Sequence, residues 1–120
     1  MNAQKIDDTD LLKKAIETSV CCFVLSSHLK DNLHNGEMGS WLKDSAFGIY
    51  DNVIRVLKQP NENERASSIN TARRSVVETT GILKLLSLKK LINDKNKKSL
   101  LDELDQLNHQ LVVYERNIFR

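Results

Sequence analysis

Three histidines, two cysteines and 16 carboxylates are the side chains of this 120-residue sequence best suited to acid–base, nucleophilic or metal chemistry. Their spacing does not favour any of it. A di-iron helical bundle needs Glu-x-x-His pairs on two helices plus further glutamates. His28 and His34 have no such partner, and the nearest approach is the lone pair Asp105-x-x-x-His109. Cys21 and Cys22 are adjacent, so helical geometry keeps an ordinary disulfide from joining them, and the second half of a zinc site is missing. They read as two small buried apolar residues in a reducing compartment. There is no glycine-rich phosphate loop, and no serine stands in a nucleophile elbow. Glu62, Glu64, Asp102, Glu103 and Asp105 read as charges at helix starts, where they favour the dipole. No catalytic residue, cofactor or metal is expected, and the chain is not expected to be an enzyme.

The chemistry that remains is positive charge. Formal net charge is only +2, so a basic surface must come from clustering. Lys84, Lys89, Lys90, Lys95, Lys97 and Lys98 bracket one predicted turn, with Arg73 and Arg74 two to three turns earlier on the same predicted helix. Lys43, Arg55 and Lys58 lie on the helix before it. A cluster at one end of a bundle could grip phosphates. Equally, lysines at a helix C-terminus offset its dipole. Aromatic residues are not interleaved with these charges, so nucleic-acid binding would rest on backbone charge and shape rather than on stacked bases.

Four helices are needed to carry these residues. The composition is 40% hydrophobic and 28% charged, with one Pro and four Gly. That suits a soluble helical domain and disfavours a turn-rich sandwich or barrel. The spacing predicts helices over about 9–32, 38–58, 62–92 and 97–118, making residues 1–120 one domain. The apolar stripes are Leu12, Ile16, Ser19, Val20, Phe23 and Ser27; then Leu42, Ala46, Ile49, Val53 and Val56; then Ile69, Ala72, Val76, Thr79 or Thr80, Leu83 and Leu86; and last a near-heptad seam of Leu100, Leu104, Leu107, Leu111, Tyr114 and Ile118. Gly36 reads as a left-handed cap ending the first helix. Pro60 stops the second, Asn61 with Glu64 starts the third as a capping box, and Asn93-Asp94-Lys95-Asn96 reads as the last connecting turn, between the third helix and the fourth. Short connections make consecutive helices antiparallel neighbours. The fold class is all-α, an up-down-up-down four-helix bundle. The opening MNAQKIDDTD does not resemble a signal peptide, and the longest apolar run, residues 20–25, is far short of the roughly 20 residues of a membrane helix. A cytoplasmic protein without a membrane partner is expected.

One feature exceeds what a monomeric bundle requires. Val20, Cys21, Phe23, Val24 and Leu25 set apolar groups all round the first helix, and Trp41, Leu85 and Leu88 add others beside their stripes. A surface helix ordinarily has a polar back. These residues predict a subunit interface, hence a homo-oligomer; scattered exposed apolar residues are the plainer alternative.

Two stretches resemble a known family. Trp41-Leu42-Lys43-Asp44-Ser45-Ala46-Phe47-Gly48-Ile49-Tyr50-Asp51-Asn52-Val53 resembles the pattern QLRRAAxSIPSNIAEG, and Thr71-Ala72-Arg73-Arg74-Ser75-Val76-Val77-Glu78 resembles IARGSLSELE. Both belong to the bacterial four-helix bundle proteins associated with intervening sequences of 23S ribosomal RNA genes, which are ribosomal-protein-like by sequence. The accessory variability protein of diversity-generating retroelements is a relative of that family. Leu42, Ala46, Ile49, Asn52, Ala72, Arg73, Ser75 and Glu78 match the pattern. Tyr50 stands in place of its Pro, and Ile54-Arg55-Val56 in place of Ala-Glu-Gly, so the second helix should run on toward Pro60. The resemblance implies a homopentameric ring and an RNA-related role with structured RNA as partner; a protein adaptor without nucleic acid is the other reading. Asn52, Arg73 and Glu78 are expected at stripe edges, bonded across helices.

Overall fold

The computed structural model describes residues 5–29 and 36–119. Four helices run in chain order, α1 (Asp8–Leu29), α2 (Gly36–Lys58), α3 (Glu62–Leu88) and α4 (Asp94–Ile118). Each packs on its neighbours in sequence, and α4 closes back onto α1. The result is an all-α four-helix fold with no strand among the described residues.

Local chemistry sets most of the helix ends. At the start of α1, Asp7 and Asp10 cap each other reciprocally: the Asp10 amide donates to Asp7 Oδ1 (2.8 Å) and the Asp7 amide to Asp10 Oδ2 (3.2 Å). Asn61 caps α3, its side chain accepting from the amides of Asn63 and Glu64. Gly36 is the first residue of α2 and has no positive φ, so it is not a left-handed cap for α1. The expected end of α1, residues 30–32, lies outside the described residues.

The stripes of α2, α3 and α4 form the core as their spacing predicts. Leu42, Ile49, Val53, Ile69, Leu83, Leu104, Leu107 and Leu111 are all fully buried, and Ile118 packs on that core from its edge. The stripe of α1 differs. Its buried face is Leu11, Ala15, Thr18, Cys22, Leu25 and Leu29, whereas Ile16, Val20 and Ser27 are exposed and Leu12 and Phe23 half-buried. The helix is rotated because its polar residues are tolerated inside. Thr18 donates to the Lys14 carbonyl, Ser26 to the Phe23 carbonyl, and Ser19 to the Ala46 carbonyl of α2. A hydroxyl satisfied by a nearby carbonyl loses little on burial.

Small residues bring helices together. Ser26 O lies only 3.1 Å from where a Cβ on Gly39 would stand. Between α2 and α3, Asn52 Nδ2 donates to Ser75 Oγ (2.6 Å), and Ser45 and Thr79 share a hydrogen bond through their hydroxyls. Asn52 and Ser75, both matched to the family pattern, are thus partners in one contact. Arg73 Nε donates to Asn108 Oδ1 of α4 (3.2 Å). Glu78 is exposed and does not bridge helices. Glu103 is not at a helix start, since α4 begins at Asp94; its carboxylate lies 2.8 Å from the buried Lys14 ammonium and ties α4 to α1.

Candidate nucleic-acid interface

The turn between α3 and α4 is built to a recognised stop. Lys89 is the C-cap, the Lys90 amide donates to the Ser87 carbonyl (2.9 Å), and the Leu91 amide reaches the Leu86 carbonyl (3.0 Å). That pair of bonds is the Schellman motif, which requires a left-handed residue and usually recruits glycine. Here Lys90 fills it, with φ of 60°. Leu91 and Ile92 fold back against the core. Asn93 caps α4, accepting from the Asn96 amide (2.7 Å).

The third helix therefore ends at Leu88 rather than near Ile92, and Asn93–Asn96 caps and begins α4 instead of forming the turn ahead of it. With lysine at the glycine position, the sequence offered no stop signal there.

The consequence for charge is direct. Lys89 and Lys90 follow the C-terminus of α3, where they favour its dipole, but Lys95 stands in the first turn of α4, where it opposes the dipole, and Lys97 and Lys98 follow in the next turn. All these lysines are exposed except Lys97, which is half-buried. Lys84 is exposed on the last turns of α3. The fold thus gathers six lysines at one end of the bundle. Arg73 and Arg74 are separate from them: 15 residues of helix between Arg74 and Lys89 span about 22 Å, and the Arg73 guanidinium is engaged by Asn108.

Exposed apolar residues gather on several faces, one of them a groove between α1 and α4 lined by Val20, Cys21, Val24 and Leu100 with His28 and Asn96. Ile16, Val20 and half-buried Phe23 of α1 meet Phe47 and Tyr50 of α2 around a groove of about 260 Å³ with an apolar lining. Phe23 and Phe47 stack edge to face there, ring centroids 5.9 Å apart. On α3, Val77, Leu85 and Leu88 are exposed, as is Trp41 on α2. Of the expected interface residues, Val20, Cys21, Val24, Trp41, Leu85 and Leu88 are exposed. Leu25 is not: the rotation of α1 turns it into the core at 8% exposure. The same rotation exposes Cys21, contrary to its expected burial, while Cys22 is buried and its thiol is pushed up to about 12 by burial. Ile16, Phe47, Tyr50 and Val77 were not singled out from the sequence as interface residues. Phe47 and Tyr50 lie one position to the side of the α2 stripe, which is the only signal that marks them.

Elsewhere the polar groups serve packing. Tyr114 OH donates to Asp8 Oδ1 (2.7 Å), joining α4 to the start of α1. Its phenol is pushed up to about 12 by burial and by that carboxylate. His109 and Asp105 are exposed on α4, His28 is exposed near the end of α1, and His34 lies outside the described residues. Among the described residues no group of three His, Cys, Asp or Glu is placed to hold a metal ion, and no helix is long and apolar enough to cross a membrane.

No protein-family model matches the chain, and no curated protein does. A solved structure does: a protein of unknown function from the S23 ribosomal protein family of Bacteroides thetaiotaomicron, with a TM-score of 0.86 and 19% sequence identity over 92% of this chain and 99% of that one. At that identity the likeness establishes a shared four-helix fold along nearly the whole length of both chains.

Proposed function

We propose that this chain is a non-enzymatic, homo-oligomeric, RNA-associated bundle of the cytoplasm, similar to the proteins of ribosomal RNA intervening sequences, and that it grips RNA through backbone phosphates. The observation that carries the reading is the placement of Lys95, Lys97 and Lys98 in the first turns of α4. Lysines at a helix C-terminus need no ligand to explain them, but Lys95 in the first turn of α4 works against the dipole, and Lys97 and Lys98 add to the same positive end without a dipole to offset. With Lys90 held left-handed beside them, the end sacrifices stability for charge, and a polyanion is the ligand that would repay it. The ribosomal-protein family of the structural neighbour and the family resemblance both support RNA as that polyanion. In a ring such as the pentamer the resemblance implies, copies of the lysine end would add weak phosphate contacts into avidity.

Titration of a structured RNA across a salt series tests the proposal. Affinity should fall steeply with salt, and changing Lys89, Lys90, Lys97 and Lys98 to Glu should abolish binding while circular dichroism stays unchanged. If the parent protein binds no RNA at low salt, the apolar groove between α1 and α2 makes an oligomeric protein adaptor the better reading.

A further inference from the structure

Gly81 lies in the middle of α3, where glycine weakens a helix. Nothing among the described residues accounts for it: a Cβ built there would meet none of their atoms within 4 Å. The glycine at Gly39, by contrast, is required by the close carbonyl of Ser26. Gly81 sits one turn from Val77 and one turn from Leu85, so it forms a notch in an exposed apolar ridge that ends at Leu88. Val77 is 67% exposed and Leu88 82%. A notch with no internal use is space for something outside the chain to approach the backbone.

Two grooves are also unpartnered among the described residues, one of about 310 Å³ between α1 and α4 that His28, Asn96 and Ser99 make partly polar, and the wholly apolar one between α1 and α2; the latter differs from the ridge as a socket differs from a key. With Phe47 59% exposed and Val20 50%, the groove presents roughly 450 Å² of apolar surface and the ridge of Val77, Leu85 and Leu88 roughly 350 Å², taking ordinary side-chain areas. A standard interface takes about 800 Å² from each partner, a little over half of it apolar. The groove therefore matches one side of such an interface, and the ridge comes close to the other.

We infer that the α1–α2 groove of one copy receives the α3 ridge of a second copy, with Gly81 giving the close approach. The inference deepens the proposed self-association and rests on it. The contact is head-to-tail, so an open string of copies keeps a free groove at one end and a free ridge at the other until a ring closes.

A mixing experiment tests it. Phe47→Glu blocks the α1–α2 groove without touching the one between α1 and α4, and Gly81→Arg fills the notch; both positions are exposed, and far-UV circular dichroism checks that each variant stays helical. By sedimentation equilibrium the parent should be larger than 13.7 kDa and each variant alone should be a monomer. Mixed one to one, the variants should form a heterodimer of about twice that mass, because an intact groove meets an intact ridge. If Gly81→Arg associates like the parent, or if the mixture stays monomeric, the groove–ridge assignment is overturned while self-association stands. If the parent itself is a monomer at concentrations of about 100 μM, well above the range of ordinary stable complexes, self-association and this inference fall together.

Discussion

Replacing Lys90 with glycine removes one charge from the lysine end and relieves the backbone at the same time. A left-handed conformation costs a non-glycine residue about 1–2 kcal/mol. Glycine returns about 0.5–1 kcal/mol of that through the greater freedom of its unfolded chain. Losing a cation near the α3 C-terminus costs about 0.3–1 kcal/mol more. Lys90→Gly should therefore be neutral to slightly stabilising. Lys90→Ala keeps the strained φ of 60° and loses the same charge, so it should be destabilised. The informative quantity is the gap between the two variants, about 1 kcal/mol in favour of glycine, or roughly 3–6 °C in Tm for a chain of this size. Paired thermal and urea melts measure it. Both variants should lose the same increment of RNA affinity, about one phosphate contact, and flatten the salt dependence by slightly under one unit of slope. If Ala proves as stable as Gly, Lys90 is not held left-handed and the stop that ends α3 is misread. If both keep the parent's salt slope, Lys90 touches no phosphate.

Leu107→Ala should cost about 2–5 kcal/mol in denaturant melts, since the side chain is fully buried in the α4 seam; a loss below about 0.5 kcal/mol would contradict that burial. Alanine should act oppositely at two glycines. At Gly39 its Cβ meets the Ser26 carbonyl at 3.1 Å and should destabilise by about 1–3 kcal/mol, whereas at Gly81 it should raise the stability of the isolated chain by about 0.5–1 kcal/mol. Equal signs in the two melts would refute the contrast. Tyr114→Phe removes a hydrogen bond to a carboxylate and should cost about 1.5–3 kcal/mol at neutral pH. Because the folded phenol is raised from 10.0 to about 12, the contribution of its neutral form is fully present below pH 10 and is lost as pH rises through about 12. The gap between parent and variant melts should narrow across that window, and a gap that stayed constant would mean that neither burial nor Asp8 raises the phenol.

Three of the four helix faces were legible in the sequence because their apolar residues recur on one side only. Leu104, Leu107 and Leu111 have polar neighbours on the opposite face, so period and burial coincide. In α1 they separate. Residues 20–25 are apolar all round, two faces compete, and the winning one contains Thr18, Ser19 and even the ammonium of Lys14. Bonds to carbonyls and to Glu103 decide the rotation, and no periodicity records them. The lysine end was legible as a cluster along the chain, but its sense relative to the two helices depended on a stop made with lysine in place of glycine. Asn52 and Arg73 were legible as bonded polar residues; Glu78 was not, since matching a pattern does not fix which way a surface side chain turns.

The aliphatic seams also bear on how such a chain ages. A leucine seam accepts other aliphatic residues with modest loss if volume is kept, so the positions that build the fold are those most free to drift. Two chains can then agree at 19% of positions and still superpose with a TM-score of 0.86. Drift is slower where two sites must change together. Asn52 and Ser75 hold each other at 2.6 Å, and Gly39 has no room for a side chain against Ser26. In distant cousins of this protein, ancestry is better sought in those few coupled sites than in the leucines that outnumber them.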